Sequence, residues 1–346
     1  MAVRQCENDE GGVVTSRSVG HDWTTGTTPL EAVVRGSGGN ALFLAASGPP
    51  RIPEQPVVIF EAGVGACSSN WGPVRRLLDP RIRSYCYDRA GYGRSPPASS
   101  SSPPRTAGAL ATELLDVLAS AGVEPPYILV AHSFGGMIAR EAVALLGPDD
   151  VAGLVLVDAN QEKTHRDLRE PLEPLDSLAG PKMSALLDES GLLAGGEHYT
   201  ADELHRLALD AERETTTKAS VAEAAQLETS SKSLARKGQL ETMALGMQPV
   251  TVIRGGTKRD YQRVIAAIQR SELDNEARQA LERLHHFVEK ELERVDDDLQ
   301  REQMRLSANS RFVRALQSGH AVIATEPQLV ADEVSSVWES CLRGRF

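Results

Sequence analysis

The run Tyr127-Ile128-Leu129-Val130-Ala131-His132-Ser133-Phe134-Gly135-Gly136 constrains the fold of this chain more than any other stretch. A short apolar strand drives into a small residue, a serine and two glycines, and a helical pattern from Met137 to Leu146 begins at once. Small residues at Ala131 and Gly135 let the backbone turn sharply, lifting the serine hydroxyl above the sheet edge. The same turn aims the Phe134 N–H, at the helix N-terminus, toward the space where an oxyanion would form.

The rest of the chain supplies a sheet for that elbow. Glu31–Arg35 and Ala41–Ala46 read as a hairpin around Gly36-Ser37-Gly38-Gly39. Apolar runs at 56–60, 82–87, 151–157 and 250–253, with Arg311–Leu316, read as further strands. Helical patterns at Trp71–Leu78 and Thr106–Ala121 alternate with them, which implies a mainly parallel sheet with helices on both faces. From Asn160 to about Met247 no strand is convincing, and one helix opens with the capping box Thr200-Ala201-Asp202-Glu203. We expect an α/β fold in four parts: an N-terminal arm (1–30), the first part of the core (31–159), a helical cap (160–247) and the second part of the core (248–346). A cap inserted between two strands would cover the edge where ligands bind in open α/β sheets.

A second charged helical stretch runs from Asp274 to Leu306. Ala277, Leu281, Leu284, Val288, Leu292, Val295 and Leu299 fall three or four apart, one stripe of a long helix. Packing on its own domain is the first expectation, and a homodimer or partner-helix contact is the alternative.

Composition removes options. The net charge of −11 over 346 residues argues against nucleic acid and anionic membrane surfaces as main partners. The cysteines Cys6, Cys67, Cys86 and Cys341 show neither metal-ligand spacing nor a disulfide framework. No stretch approaches the roughly 18 apolar residues of a membrane span, and the N-terminus lacks an apolar targeting segment. A cytoplasmic protein with no cofactor and no metal is expected.

A serine needs a base within hydrogen-bond reach and a group that orients the base. Of eight histidines, His320 alone follows the last strand, in Gln317-Ser318-Gly319-His320, on the same sheet edge as Ser133. His132 should diverge from the nucleophile after so sharp a turn. The acid is Asp158, ending the strand after the elbow helix, or Asp260, following the strand Val250–Ile253; both give the order Ser, acid, His. Asp158 is preferred, because Asp260 trails two glycines and could turn to solvent or pair with Lys258 or Arg259. A second oxyanion donor is expected at Val64 N–H, in Phe60-Glu61-Ala62-Gly63-Val64-Gly65, where glycines admit close backbone approach.

Together these motifs resemble the serine-nucleophile branch of the α/β-hydrolase fold family over about residues 31–342. The resemblance rests on Gly63-Val64-Gly65 with Ser69-Asn70-Trp71, on Asp88-Arg89-Ala90-Gly91-Tyr92-Gly93-Arg94-Ser95, on the elbow, and on Gly319-His320. The chain departs from the family in Ala62 before Gly63, in Ala131 at the elbow, and in Lys258 or Arg259 where the usual acid would fall. Some members place the acid one strand earlier, where Asp158 stands. The resemblance implies hydrolysis of an ester, thioester or lactone through an acyl-serine, with acyl transfer or cyclisation as the alternative. A non-catalytic binding protein on the same scaffold is the other class.

Overall fold

A computed structural model of the chain describes residues 21–26, 30–78, 80–100, 102–179 and 195–343. Most of the expected arm, Cys6, and residues 180–194 of the expected cap lie outside them. Eight strands form one sheet: β1 (Leu30–Arg35), β2 (Ala41–Ser47), β3 (Val57–Glu61), β4 (Ser84–Asp88), β5 (Tyr127–His132), β6 (Val151–Val157), β7 (Val250–Arg254) and β8 (Ser310–Arg314). Their order is β1-β2-β4-β3-β5-β6-β7-β8. β1 and β2 pair antiparallel, as do β2 and β4; the remaining pairs are parallel.

The central strands are apolar throughout because helices cover both faces. Val58, Phe60, Ile128, Val130, Val155 and Val157 point to one face. There they meet Val74 of α1 (Gly72–Leu78) and Val330, Val334 and Val337 of the helix Pro327–Arg343. Ile59, Leu129, Leu154 and Leu156 point the other way, onto α2 (Ala107–Ser120) and α3 (Gly135–Leu146). The alternation is the two-residue period of a strand.

Register decides what reaches the carboxyl edge. Glu61 pairs with Ala131, His132 with Val157, and Val157 with Ile253. The residues that follow, Ala62-Gly63, Ser133 and Asp158, therefore emerge side by side. Ser133 N–H donates to Val157 O (3.2 Å) and Asp158 N–H to Ile253 O (2.7 Å), which extends the ladder into the loops.

Two insertions rise beside this edge. Between β6 and β7 come helical turns over 165–179 and the helices Ala201–Glu212, Glu214–Ala224 and Leu227–Ala235, with no strand among the described residues. The Thr200–Glu203 capping box is present. Between β7 and β8 come the helices Thr257–Ile268, Asn275–Lys290 and Leu292–Glu302. The single long helix expected over 274–306 is thus two helices, broken at Glu291, whose φ is −122°. Each half packs on a different surface, which is why the helix breaks between them. Leu281, Leu284, Val288 and Leu292 join Val264, Ile265 and Ile268, and also Leu172 and Leu175 of the first insertion. Beyond Leu292 the stripe turns polar, and Asp296 and Gln300 meet the sheet edge. The stripe is covered from within the chain.

Candidate active site

Ser133 closes β5 with a φ of +54°, in the left-handed region that a residue with a side chain rarely adopts. Such a conformation costs ~1–3 kcal/mol and persists only where the surroundings over-determine it. Here they do: Ser133 O accepts from Gly136 N–H (3.0 Å) and Asn160 N–H (2.8 Å). Gly135 lets the elbow lie against the β3 loop, since a Cβ there would sit 2.6 Å from the Glu61 carbonyl oxygen. A Cβ on Gly63 would in turn stand 3.0 Å from Ser133 Cβ. The elbow and the 62–65 turn are therefore in direct contact.

Asp158 also carries a positive φ, +43°. Its Oδ2 accepts from His320 Nδ1 (2.7 Å) and Thr257 Oγ1 (3.0 Å), and its Oδ1 accepts from Gly255 N–H (2.9 Å). Burial pushes the Asp158 carboxyl up, but the His320 hydrogen bond and charge outweigh it and hold the group below its ordinary value. Burial works to lower His320, yet the hydrogen bond and charge of Asp158, with Asp260 and Asp296 behind it, leave the imidazole raised. With its proton on Nδ1, His320 presents Nε2 as an acceptor. Among the described residues no hydrogen bond reaches Ser133 Oγ, so the expected Ser133–His320 bond is not formed, although both side chains line one cavity. Such bonds are commonly long until substrate binds.

Asp260 corrects the expectation of a solvent-facing or ion-paired acid. The helix Thr257–Ile268 starts directly after Gly256, so Asp260 lies in its first turn and points inward, buried. Its Oδ2 accepts the backbone N–H of His320 at 2.7 Å. Lys258 pairs instead with Glu289, and Arg259 donates to Gln317 O. His132 makes no hydrogen bond to Ser133 but is not idle. Its Nε2–H donates to the His320 carbonyl oxygen (2.9 Å), leaving a buried Nδ1 without a partner. Burial, reinforced by His320, drops His132 to about 3 and keeps it neutral. His320 is thus held at its ring, its N–H and its carbonyl by three different strands or helices.

The cavity beside Ser133 has a volume of about 200 Å³. Met137, Leu168, Leu172, Leu227 and Leu292 supply apolar wall, and Thr257, Tyr261, Asp296 and Gln300 supply polar atoms. Both insertions contribute. His165 is on this wall too, 3.6 Å from Glu170. Asp296 was missed from sequence. Its only signal was its place four residues past Leu292, on the buried stripe. It is buried, held by Arg254 Nε (2.7 Å), and raised to about 7 by burial and by the charge of Asp158.

Two backbone donors stand free beside the serine. Among the described residues neither Phe134 N–H nor Val64 N–H has an acceptor. The turn that carries Val64 is gripped from below. Arg89 donates to Ala62 O (2.8 Å) and Gly63 O (2.7 Å), and Tyr92 OH accepts Gly65 N–H (3.2 Å).

A model of the alpha/beta hydrolase family matches residues 58–333 of the chain. The chain belongs to the alpha/beta hydrolase family. An alpha/beta hydrolase superfamily protein of Gibberella zeae is 40% identical over 305 residues, 86% of this chain and 90% of that one. Solved structures share the fold at low identity. The esterase RhEst1 from a Rhodococcus species superposes with a TM-score of 0.59 at 17% identity, over 90% of this chain and 99% of that one. The enol-lactonase from Burkholderia xenovorans LB400 gives 0.57 at 17%, over 89% and 99%. Among the described residues no helix is long and apolar enough to cross a membrane, and no metal-binding cluster of His, Cys, Asp or Glu occurs. Cys67, Cys86 and Cys341 are buried, and the Cys341 thiol donates to Ala152 O (3.1 Å).

Proposed function

We propose that this alpha/beta hydrolase cleaves an ester, thioester or lactone of a small organic substrate through an acyl-serine intermediate. The observation that carries the reading is the 2.7 Å contact of His320 Nδ1 with Asp158, made on the wall of the cavity that Ser133 enters from a strained elbow. Ser133 Oγ attacks the acyl carbon while His320 Nε2 takes its proton. Phe134 N–H and Val64 N–H receive the charge that develops on the acyl oxygen, an effect worth about 2.7–4 kcal/mol for one donor. His320 then gives its proton to the leaving oxygen or sulfur, and the acyl–oxygen bond to Ser133 remains. A water repeats the sequence, and the acid product leaves with Ser133 restored. Asp158 keeps the tautomer and stabilises the imidazolium.

The helices between β6 and β7 act as a cap in this reading, with walls from Leu168, Leu172 and Leu227. The cavity is smaller than the ~300–1,000 Å³ of drug-sized sites, which favours a short acyl group. A fluorophosphonate probe should label the protein at Ser133, and Ser133→Ala should abolish labelling and cut turnover by a factor on the order of 10⁶. Labelling that persists in Ser133→Ala, or a folded wild type that never labels, would turn the reading toward a binding protein.

A further inference from the structure

Arg89 leaves the end of β4 and is almost wholly buried, with a side-chain exposure of 2%. All five of its N–H donors find acceptors. Nε meets Glu223 Oε1 (3.0 Å); Nη1 meets Glu61 Oε1 and Ala62 O (both 2.8 Å); Nη2 meets Gly63 O (2.7 Å) and Glu223 Oε2 (2.9 Å). Glu223, fully buried on the helix Glu214–Ala224, is equally complete. Besides the two Arg89 contacts it accepts from Arg105 Nη2 (2.6 Å) and Tyr92 OH (2.7 Å). That same Tyr92 oxygen accepts Gly65 N–H. Glu61 completes the cluster, bonded also to Tyr87 OH.

The consequence lies in one peptide plane. Gly63 C=O and Val64 N–H belong to the same trans unit and point to opposite sides of it. Holding Gly63 O with Arg89 on one side therefore fixes Val64 N–H on the other. Ala66 N–H donates to the same carbonyl (3.3 Å), and the next peptide is pinned through Gly65 N–H. Rotating the 63–64 unit would strand a buried guanidinium donor, which a water-excluded site does not forgive.

We infer that Glu223, borne by the first insertion, is a positioning residue for the oxyanion site: through Arg89 and Tyr92 it locks the 62–65 turn with Val64 N–H free beside Ser133. The inference rests on the acyl-serine reading for its kinetic expression, though not for its structural one. The oxyanion site is complete only while the insertion is seated on the sheet edge. The Asp158–His320 contact shares no bond with this cluster, so unseating the insertion would leave that contact intact and remove the oxyanion donor.

The test compares wild type with Glu223→Gln, an isosteric change that places an amide N–H against donors. With p-nitrophenyl acetate as substrate, kcat should fall 10²–10³-fold, the scale for one lost oxyanion donor. KM should stay within about twofold, and the pH at half-maximal activity should not move. A trifluoromethyl ketone, whose hemiketal oxygen reads the same donors, should lose affinity in proportion to kcat. Amide hydrogen exchange at Gly65 and Ala66 should quicken. A folded Glu223→Gln with wild-type kcat and unchanged exchange overturns the inference; so does a loss shared equally by kcat and KM. Should Glu223→Gln not fold, Tyr92→Phe decides: it removes the Gly65 acceptor and one of the four donors to Glu223, and should lower kcat about five- to tenfold, and a neutral result refutes the inference. If wild type neither labels with fluorophosphonate nor turns over ester, the acyl-serine reading is what fails. The exchange result then still tests the lock.

Discussion

Replacing Asp158 with asparagine changes one oxygen into an NH2, and the surrounding donors decide which one. Gly255 N–H stands 2.9 Å from Oδ1, while His320 Nδ1 and Thr257 Oγ1 stand 2.7 and 3.0 Å from Oδ2. An amide nitrogen at Oδ1 would oppose a backbone donor that cannot turn. The nitrogen therefore takes the Oδ2 side, where Thr257 can rotate to accept from it. His320 Nδ1 must then accept as well, which sends its proton to Nε2 and leaves no base facing Ser133. The expected loss is on the order of 10⁴ in kcat, about 5 kcal/mol of transition-state free energy at 1.36 kcal/mol per decade. Substrate affinity should hardly change, since the cavity keeps its shape. Steady-state kinetics on p-nitrophenyl acetate measures the split, and the rate of fluorophosphonate labelling should fall in parallel. A folded Asp158→Asn within tenfold of wild type would refute the tautomer argument and with it the placing of the acid on β6.

Activity should rise with pH along a single limb centred above the ordinary histidine value near 6.5, because Asp158 raises His320 and only the neutral ring accepts a proton. The linkage to stability has the opposite sign: the His320–Asp158 pair contributes fully below about 6.5 and is lost as pH rises through the folded-state value, a trend that denaturant melts across pH would detect. Asp260→Ala should lower kcat by about tenfold by freeing the His320 N–H, whereas Asp260→Asn keeps an acceptor oxygen and should stay near wild type; equal losses in both would deny that role. Asp296→Asn should shift the activity limb to lower pH, since Asp296 ionises near 7 and its charge helps raise His320; an unmoved limb in a folded variant would count against it.

The elbow was legible because its constraint is local: an apolar strand, a left-handed serine and a glycine against the neighbouring loop are all encoded within ten residues. The edge positions of Asp158 and His320 followed from strand ends, and register does the rest once β5, β6 and β7 pair in parallel. What could not be read is which edge residue grips which. Asp158 and Asp260 both sit on the edge, and both touch His320, one at the ring and one at the backbone. Only the turn that starts the helix Thr257–Ile268 separates the two roles, and helix starts are poorly specified by a Gly-Gly-Thr run. The break at Glu291 was hidden for a similar reason. The stripe keeps its period through residue 299, and only its change from leucine to Asp296 and Gln300 marks where the packing partner changes.

The two insertions are held to the sheet edge in a related way. Arg89 follows the end of β4 and reaches Glu223 in the first insertion. Arg254 ends β7 and reaches Glu293, Asp296 and Asp297 in the second. A buried ion pair adds little net stability over apolar packing, but removing one partner leaves an uncompensated charge that costs about 3–5 kcal/mol. Leucine contacts alone would let a helix slide along a flat apolar surface at small cost. A guanidinium with fixed donors admits one seating. The two arginines occupy equivalent places at the carboxyl edge, and each contacts acids that sequence analysis did not single out. Glu223 sits among alanines in Val221-Ala222-Glu223-Ala224-Ala225, and Asp296 sits on an apolar stripe. In each case a carboxylate on the buried face of the helix docks it on a buried arginine. In this chain both such helices border the same edge: one holds the 62–65 turn through Arg89 and the other walls the cavity beside His320.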